Sequence, residues 1–268
     1  MENERLIINT DTCVGCSLCV NDCPSKALRI ADDGSISYIG RCLECGHCVA
    51  VCPTNSITMP VLDMAGVTEY NPATFDLKPE NLINSMKFRR SVRFFSNLDI
   101  PEPKLMQMLE AGRHAPTASN TQKTRFIVLQ KDLPEFKKLF WEGMPEIIEK
   151  LKAENSPALA SFERFYHNYQ TKDFDNFFFK APAMFLVLTN NMWDAGLAAA
   201  NIELMGHALK IGSLHNGYLK RAIPANPKLM EWLGIGEDET IACVMLAGHS
   251  GVTYSRTAPR KPAKFEIR

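Results

Sequence analysis

The sequence predicts an α+β protein in which a small cysteine-rich domain precedes a larger domain built as a layered sheet with helices on it. Two observations support this division. Eight of the nine cysteines fall within residues 13–52, whereas apolar runs and helical periodicity alternate regularly only beyond residue 85. We therefore expect a first domain over residues 1–60, a linker over residues 61–84 and a second domain over residues 85–268.

Two cysteine runs with the same spacing mark the first domain. Each reads C-x2-C-x2-C-x3-C-P, which is the pattern of bacterial cubane iron–sulfur sites. In proteins with two such sites, the fourth cysteine of each run binds the other cluster. We therefore predict two 4Fe–4S clusters, the first held by Cys13, Cys16, Cys19 and Cys52, and the second by Cys42, Cys45, Cys48 and Cys23.

Zinc and disulfide bonds are the alternatives for these cysteines. A zinc site usually takes its ligands as two pairs, and a disulfide framework belongs to a short secreted chain. Neither fits two runs of four in a chain of 268 residues whose first residues show no basic stretch followed by an apolar core. Open thiolates need a reducing compartment, so we expect a cytoplasmic protein suited to an anaerobe.

The two runs also form an internal repeat, because equivalent cysteines stand 29 positions apart. The apolar segments that follow them, residues 28–30 and 57–59, keep this offset and predict one short strand in each half. The first 60 residues resemble the bacterial two-cluster ferredoxin domain. That resemblance implies a domain that passes single electrons.

Periodicity predicts the elements of the second domain. The predicted helices cover residues 103–112, 135–151, 194–211 and 228–233. The predicted strands cover residues 125–130, 184–189 and 240–247. We expect Pro145 to break the second of these helices and Gly212 to stop the third.

Charge and motifs exclude several classes of partner. Thirty basic and thirty acidic residues cancel, which argues against a nucleic-acid role, and no apolar run is long enough for a membrane span. The sequence also lacks both the G-x-G-x-x-G fingerprint and a Walker phosphate loop. We therefore expect any nucleotide in the second domain to be held by side chains.

Three polar segments offer such side chains, namely residues 89–95 (RRSVRFF), 116–122 (PTASNTQ) and 256–262 (RTAPRKP). Taken singly, each is typical of a solvated basic face or of a turn. Their order, with an alanine-rich helix ending in G-S and then A-G-H, resembles the FMN-dependent nitroreductase family over residues 85–268. The family's fold implies a central mixed sheet flanked by helices. The whole chain is similar to ferredoxin–nitroreductase fusions of anaerobes.

The resemblance implies a homodimer with an FMN site at each side of its interface, and the matching residues follow by position. Those expected to hold FMN are Arg89, Arg90, Ser91, Arg93, Arg256, Arg260 and Lys261. Those expected to reach it across the interface are Pro116, Thr117, Ala118, Asn120 and Gln122. Asn216 and Gly217 match the turn near the flavin N5. One departure is that Lys123 and Thr124 stand where many members have proline and an aromatic residue.

These features indicate an oxidoreductase in which no side chain needs to act as a nucleophile. In our leading hypothesis, a donor such as reduced ferredoxin feeds the clusters, the electrons pass to FMN, and a nitroaromatic, quinone or similar conjugated acceptor is reduced. One alternative is a flavoprotein fed by NAD(P)H that uses the clusters as an outlet to a protein partner. Another is a non-enzymatic redox sensor or electron carrier.

Several side chains suggest sites that we interpret as structural. Glu203 and His207 lie one helical turn apart, but with no third ligand we interpret them as a satisfied core or interface pair. Cys243 is interpreted as core rather than as a ligand. Most aromatic rings of residues 140–180 are interpreted as core of the dimer interface rather than as a lid over the flavin. His114 and His215 lie beside the predicted flavin loops, and neither is assigned as a proton donor.

Overall fold

The computed structural model describes residues 5–172 and 174–268. Residues 1–4 of the predicted first domain lie outside the described residues. None of the described helices has the length and apolar character that a bilayer crossing needs. The chain divides into two compact units, each made of two segments. They are Met1–Asp76 with Ala118–Thr121, and Leu77–Thr117 with Gln122–Arg268.

The first unit is built from the two halves of the cysteine repeat. Its strands are β1 (Ile7–Ile8), β2 (Leu28–Ile30), β3 (Ile36–Tyr38) and β4 (Ile57–Thr58), and its helices are α1 (Leu18–Asp22), α2 (His47–Ala50) and α3 (Pro72–Phe75). Strand β1 pairs antiparallel with β4, and β2 with β3. Each two-stranded sheet therefore takes one strand from each half, so neither half is complete without the other.

The loops that carry the cysteines turn through the left-handed region at equivalent positions. Gly15 and Glu44 have φ of 64° and 53°, and Ser17 and Gly46 have φ of 62° and 73°. Each pair keeps the 29-residue offset, although only one member of each pair is glycine. Because a non-glycine residue pays about 1–2 kcal/mol for this conformation, the surrounding fold has to impose the turn in both halves.

The segment predicted as a linker, residues 61–84, contains helical structure that periodicity did not indicate. Helix α3 lies within it, and helix α4 (Pro79–Phe88) begins there. Proline starts both helices, and the Asn71 side chain accepts a hydrogen bond from the Ala73 N–H at 3.0 Å. Proline at the first position therefore favours the start of both helices, and the Asn71 cap adds to the start of α3.

The second unit contains most of the helices and one four-stranded sheet. After α4, its helices are α5 (Glu102–Arg113), α6 (Leu133–Glu142), α7 (Met144–Ala153), α8 (Leu159–Lys172), α9 (Met192–Ala208), α10 (Gly217–Ala222) and α11 (Pro227–Trp232). Its strands are β5 (Arg125–Leu129), β6 (Ala183–Leu188), β7 (Gly212–His215) and β8 (Ile241–Gly248). The order is β5–β6–β8–β7 with antiparallel pairing, and a parallel bridge from Ser91 to Ser213 makes the β7 edge mixed. The predicted α+β class is confirmed.

Two apolar clusters cover the two faces of this sheet. All six residues of β6 are buried, because the strand is covered on both sides. One cluster includes Met108 of α5 and Ile202 of α9, and the other is rich in rings such as Phe136. Most aromatic residues of the 140–180 segment belong to the second cluster. They are therefore core of this unit, whereas we expected core of a dimer interface. The fully buried ones are Phe140, Phe162, Phe177 and Phe178, whereas Tyr169 and Phe174 are exposed.

Two predicted helices differ from those observed. The helix predicted over residues 135–151 is two helices, α6 and α7, which meet at Gly143, and Pro145 lies in the first turn of α7. The helix predicted to reach residue 211 ends at Ala208, because the chain turns left-handed at Lys210, where φ is 63°. Gly212 is therefore not the helix stop but the first residue of β7.

A substitution at Gly143 tests the packing at the α6–α7 junction. A Cβ atom there would collide with Nδ2 of Asn226, whose Oδ1 accepts the N–H groups of Lys228 and Leu229 at the start of α11. We expect Gly143→Ala to lower the free energy of unfolding by about 1–3 kcal/mol, measured by urea denaturation. Gly196→Ala in α9 is the matched control, because nothing lies within 4 Å of its added Cβ. An unchanged midpoint for Gly143→Ala would contradict this account of the junction.

Candidate functional site

The first three cysteines of the first run share a cavity with the last cysteine of the second. Cys13, Cys16, Cys19 and Cys52 line it together with apolar side chains such as Ile36. Pairing of β1 with β4 explains the arrangement, because Cys52 lies just before β4 and the first run lies just after β1. Four thiols and an apolar wall form a donor set suited to an iron–sulfur cluster.

Backbone N–H groups point at cysteine sulfur atoms in both halves. Ala27 N–H donates to Cys23 Sγ at 3.2 Å, and Ser56 N–H donates to Cys52 Sγ at 3.3 Å. Burial raises the pKa of Cys23 and Cys52, but hydrogen bonds from backbone N–H and hydroxyl groups outweigh it and lower the pKa overall. The fold thus favours the thiolate at the fourth cysteine of each run, which is the form that binds metal.

The third cysteine of each run is the most enclosed. Cys19 and Cys48 are buried, and burial raises the pKa of Cys48 to about 11. Such a thiol needs a strong positive charge nearby to ionise, as a bound metal supplies. In the part of the chain that the structure describes, no three His, Cys, Asp or Glu side chains converge on a single metal ion. A cubane differs from a single ion, because each thiolate binds a different iron atom.

In the second unit, the arginine-rich segment runs along the β7 edge of the sheet. Val92 N–H donates to the Ser213 carbonyl oxygen at 2.9 Å, and Ser96 N–H donates to the His249 carbonyl oxygen at 2.9 Å. These bonds anchor residues 89–96 beside β7 and the end of β8. The three arginines of this segment are thereby distributed over two cavities on this edge.

The first cavity, the Arg89 pocket, has a volume of about 370 Å³. Its polar lining includes Arg89, Arg90, Ser213, Ser250, Thr253 and Tyr254. Two guanidinium groups beside several hydroxyls form a donor-rich surface that suits a phosphate or another anion.

The second cavity, the Arg93 pocket, has a volume of about 420 Å³. Its lining includes Arg93, His215, Asn216, Gly217, Phe179 and Arg221. The structure thus brings Arg93 together with Asn216 and Gly217, three of the residues expected to lie at the flavin. Aromatic walls beside charged donors suit a planar ligand with polar edges.

A buried carboxylate connects the two pockets. Glu203 Oε1 accepts a hydrogen bond from Arg89 at 2.9 Å and from the Ser213 hydroxyl at 3.0 Å, and lies 3.5 Å from His215 Nε2. Burial raises the pKa of Glu203, but His215, Arg89 and Ser213 outweigh it and lower the pKa overall. This corrects the interpretation of Glu203 as a pair with His207. The sequence did not reveal the partners because they lie 114, 10 and 12 residues away.

The Asn216 side chain forms hydrogen bonds to three other residues of the fold. Oδ1 accepts the N–H groups of Tyr218 and Leu219 at the start of α10, and Nδ2 donates to the Phe177 carbonyl oxygen at 2.6 Å. The residue is buried. Its backbone N–H donates to the Val244 carbonyl oxygen at 2.8 Å, and its carbonyl oxygen accepts the Lys220 N–H at 3.1 Å. Asn216 therefore shapes the turn beside the Arg93 pocket through bonds made within the fold.

The remaining predicted site residues lie outside both pockets. Thr117 and Gln122 line a third cavity with Glu110 and Arg113. Ala118 and Asn120 belong to the first unit, where the Asn120 amide donates to the carbonyl oxygens of Leu43 and Glu44 at 3.1 and 2.8 Å. The others are exposed. Ser91 forms a parallel bridge with Ser213, and Pro116, Arg256, Arg260 and Lys261 lie outside regular elements.

Family models match both parts of the chain. A model described as 4Fe-4S dicluster domain matches residues 5–56, and the Nitroreductase family model matches residues 86–249. The chain belongs to the nitroreductase family. It is a nitroreductase-family oxidoreductase joined to an N-terminal ferredoxin domain. No curated protein matches it significantly.

Solved nitroreductases share the fold of the second unit at low sequence identity. A nitroreductase with bound FMN from Bacteroides fragilis is 19% identical, with a TM-score of 0.58 over 70% of this chain and 98% of that one. One from Desulfitobacterium hafniense, also with bound FMN, is 23% identical, with a TM-score of 0.55 over 71% and 100%. A BluB-like flavoprotein from Clostridium difficile is 19% identical, with a TM-score of 0.55 over 72% and 100%.

The ion pair at Glu203 yields a stability prediction for this nitroreductase-family unit. In Glu203→Ala, Arg89 loses its carboxylate partner, and the Arg89 side chain is only 21% exposed. We therefore expect the free energy of unfolding to fall by about 3 kcal/mol. All three tryptophans lie in this unit, so their fluorescence in urea reports it. The difference from wild type should shrink as the pH falls through the lowered pKa of Glu203, because the wild-type carboxylate is then protonated.

The exposed Glu163→Ala in α8 is the matched control and should change the free energy of unfolding by less than about 0.5 kcal/mol. A Glu203→Ala protein as stable as this control would show that the Arg89–Glu203 pair does not support the site.

Proposed function

We propose that this protein passes electrons between two 4Fe–4S clusters in its first unit and FMN in its second, and reduces a small conjugated acceptor such as a nitroaromatic or quinone. The observation that carries the proposal is the cavity shared by Cys13, Cys16, Cys19 and Cys52 in a chain whose other part belongs to the nitroreductase family. A ferredoxin unit would have little purpose beside a reductase unit unless electrons move between them.

The proposed ligands of the first cluster are the four cysteines of that cavity. By the repeat, Cys42, Cys45, Cys48 and Cys23 would hold the second cluster. Backbone N–H groups of other residues donate hydrogen bonds to the sulfur atoms of Cys23, Cys42 and Cys52. These bonds would stabilise negative charge on sulfur, which raises a cluster's reduction potential. The equivalent bonds at Cys23 and Cys52 support similar environments for the two clusters.

FMN is the cofactor that the second unit is proposed to bind, as the two solved nitroreductases described above do. When bound, FMN supplies a centre that accepts single electrons and delivers a pair. Arg89, Arg90 and the hydroxyls of the Arg89 pocket would hold its phosphate. Arg93 and the turn of Asn216 and Gly217, which line the Arg93 pocket, would hold the remainder together with Ser91, and positive charge there would stabilise the reduced, anionic ring.

A second copy of the chain is proposed to complete the site. Pro116, Thr117, Ala118, Asn120 and Gln122 do not line the two arginine pockets of their own chain, which supports their reaching a partner's site. Helix α9 leaves Trp193 83% exposed, and large exposed rings are typical of an interface. Arg256, Arg260 and Lys261 are proposed to join the phosphate contacts in the assembled dimer.

Cys52→Ala tests the assignment of cluster ligands and of electron flow together. We expect the anaerobically purified variant to lose about half of its iron, to keep its FMN, and to lose reduction of a nitroaromatic driven by reduced ferredoxin. Iron analysis, flavin absorbance and acceptor turnover measure the three effects. Cys243→Ala is the matched control for iron content, because that cysteine lies outside both runs.

Two outcomes would contradict the proposal. Full iron content in Cys52→Ala would refute the exchanged fourth ligand. Unchanged ferredoxin-driven turnover after loss of a cluster would refute the electron path, and rapid flavin reduction by NADH or NADPH alone would favour the clusters as an outlet.

A further inference from the structure

The ninth cysteine lies in a polar setting, and it does not itself line the cluster cavity or either arginine pocket. Cys243 is on β8, outside both cysteine runs, and its side chain is partly exposed. Its Sγ lies 3.4 Å from Nδ1 of His215, at the end of β7. The interpretation of Cys243 as plain core therefore needs correction, because only part of its surface packs against the apolar cluster of α9.

The other nitrogen of the same imidazole faces a carboxylate. His215 Nε2 lies 3.5 Å from Glu203 Oε1, and Arg89 and Ser213 donate to that same oxygen atom. A thiol, an imidazole and a carboxylate thus follow one another from β8 through β7 to α9. This order is the signature of an activated nucleophile, in which a base contacts the thiol and a third group orients the base.

The groups around the imidazole favour a proton on His215. Hydrogen bonds with Cys243 and Glu203 raise the pKa of His215 to about 10, against the opposing effect of burial. An imidazolium beside a cysteine stabilises the thiolate. The other charged groups near the imidazole belong to neighbouring elements and are Arg89, which reaches it through Glu203, and Arg93 and Arg221, which line the same pocket.

We propose that Cys243 is a nucleophilic thiol that forms a thioether with small α,β-unsaturated carbonyl compounds, with His215 as its base and Glu203 as the group that positions His215. In this step the Cys243 Sγ–carbon bond forms as the C=C π bond breaks. The thiol proton, taken up by His215, passes to the adjacent carbon atom. No oxidant or reductant is consumed, so the step is independent of electron transfer through the clusters.

N-ethylmaleimide, a conjugated dicarbonyl compound, is the probe for this proposal. The anaerobic holoprotein is treated at pH 6.5 and digested, and mass spectrometry follows the Cys243 peptide alone over time. An ordinary thiol is about 1% ionised at this pH, whereas a stabilised thiolate is largely ionised but intrinsically less nucleophilic. We therefore expect labelling on the order of tenfold faster than in the urea-unfolded protein.

Variants distinguish activation of the Cys243 thiol by His215 from simple exposure of that thiol to the reagent. At pH 6.5, we expect Cys243 of the His215→Asn variant to be labelled at the rate of the unfolded protein. The labelling rates of the variant and the wild type should converge as the pH rises above 8.5, where any thiol ionises. Glu203→Gln should give an intermediate rate. His167→Asn, an exposed substitution on α8, is the matched control and should label like wild type.

The result that would overturn the proposal is a wild-type Cys243 that labels no faster than the unfolded chain at every pH from 5.5 to 9. Equal labelling rates in wild type and His215→Asn would also overturn it, because the reactivity of the sulfur would then not depend on the imidazole. If His215→Asn fails to fold, the wild-type pH profile decides alone. A rate that is already high at pH 6 supports the activated thiol, and a rate that rises only near pH 8.5 refutes it.

Discussion

The constraint on which the first unit depends is that neither half of its repeat closes on itself. Each two-stranded sheet joins a strand of one half to a strand of the other, and this pairing brings Cys52 into the cavity of Cys13, Cys16 and Cys19. The unit has only a small apolar cluster, in which cysteines take part. Bound clusters would therefore contribute to its folding as well as to its chemistry, as metals do in other small domains.

In the second unit, the comparable element is the buried carboxylate of Glu203. It forms an ion pair with Arg89, accepts a hydrogen bond from the Ser213 hydroxyl and lies beside His215. These contacts connect α9 to the arginine-rich segment and to β7. The Arg89 and Arg93 pockets lie on either side of this network. A single carboxylate on a sheet-covering helix thus supports both the proposed phosphate end and the proposed ring end of the cofactor site, and also the environment of Cys243.

Local patterns predicted most of the fold, and partners distant in sequence account for what was missed. Cysteine spacing predicted the N-terminal ferredoxin domain, and apolar runs predicted strands β5, β6 and β8, because those signals lie within a few residues. Strand β7 was missed because its short sequence, GSLH, carries no alternation and forms only by pairing with β8. Family resemblance predicted Arg93, Asn216 and Gly217 as FMN residues, and the structure places them in one pocket, while their contact with FMN stays a prediction. No local pattern linked Glu203 to Arg89 or Cys243 to His215, since tertiary contacts alone bring them together.

The most direct test of the account is to follow one electron through the holoprotein. The oxidised protein would be mixed anaerobically with less than one equivalent of reduced ferredoxin and frozen at successive times. The cluster signal in electron paramagnetic resonance and the flavin absorbance would then be measured on the same time axis. The account predicts that the cluster signal rises first and decays as the flavin absorbance falls. A cluster signal that persists while the flavin stays oxidised would contradict it.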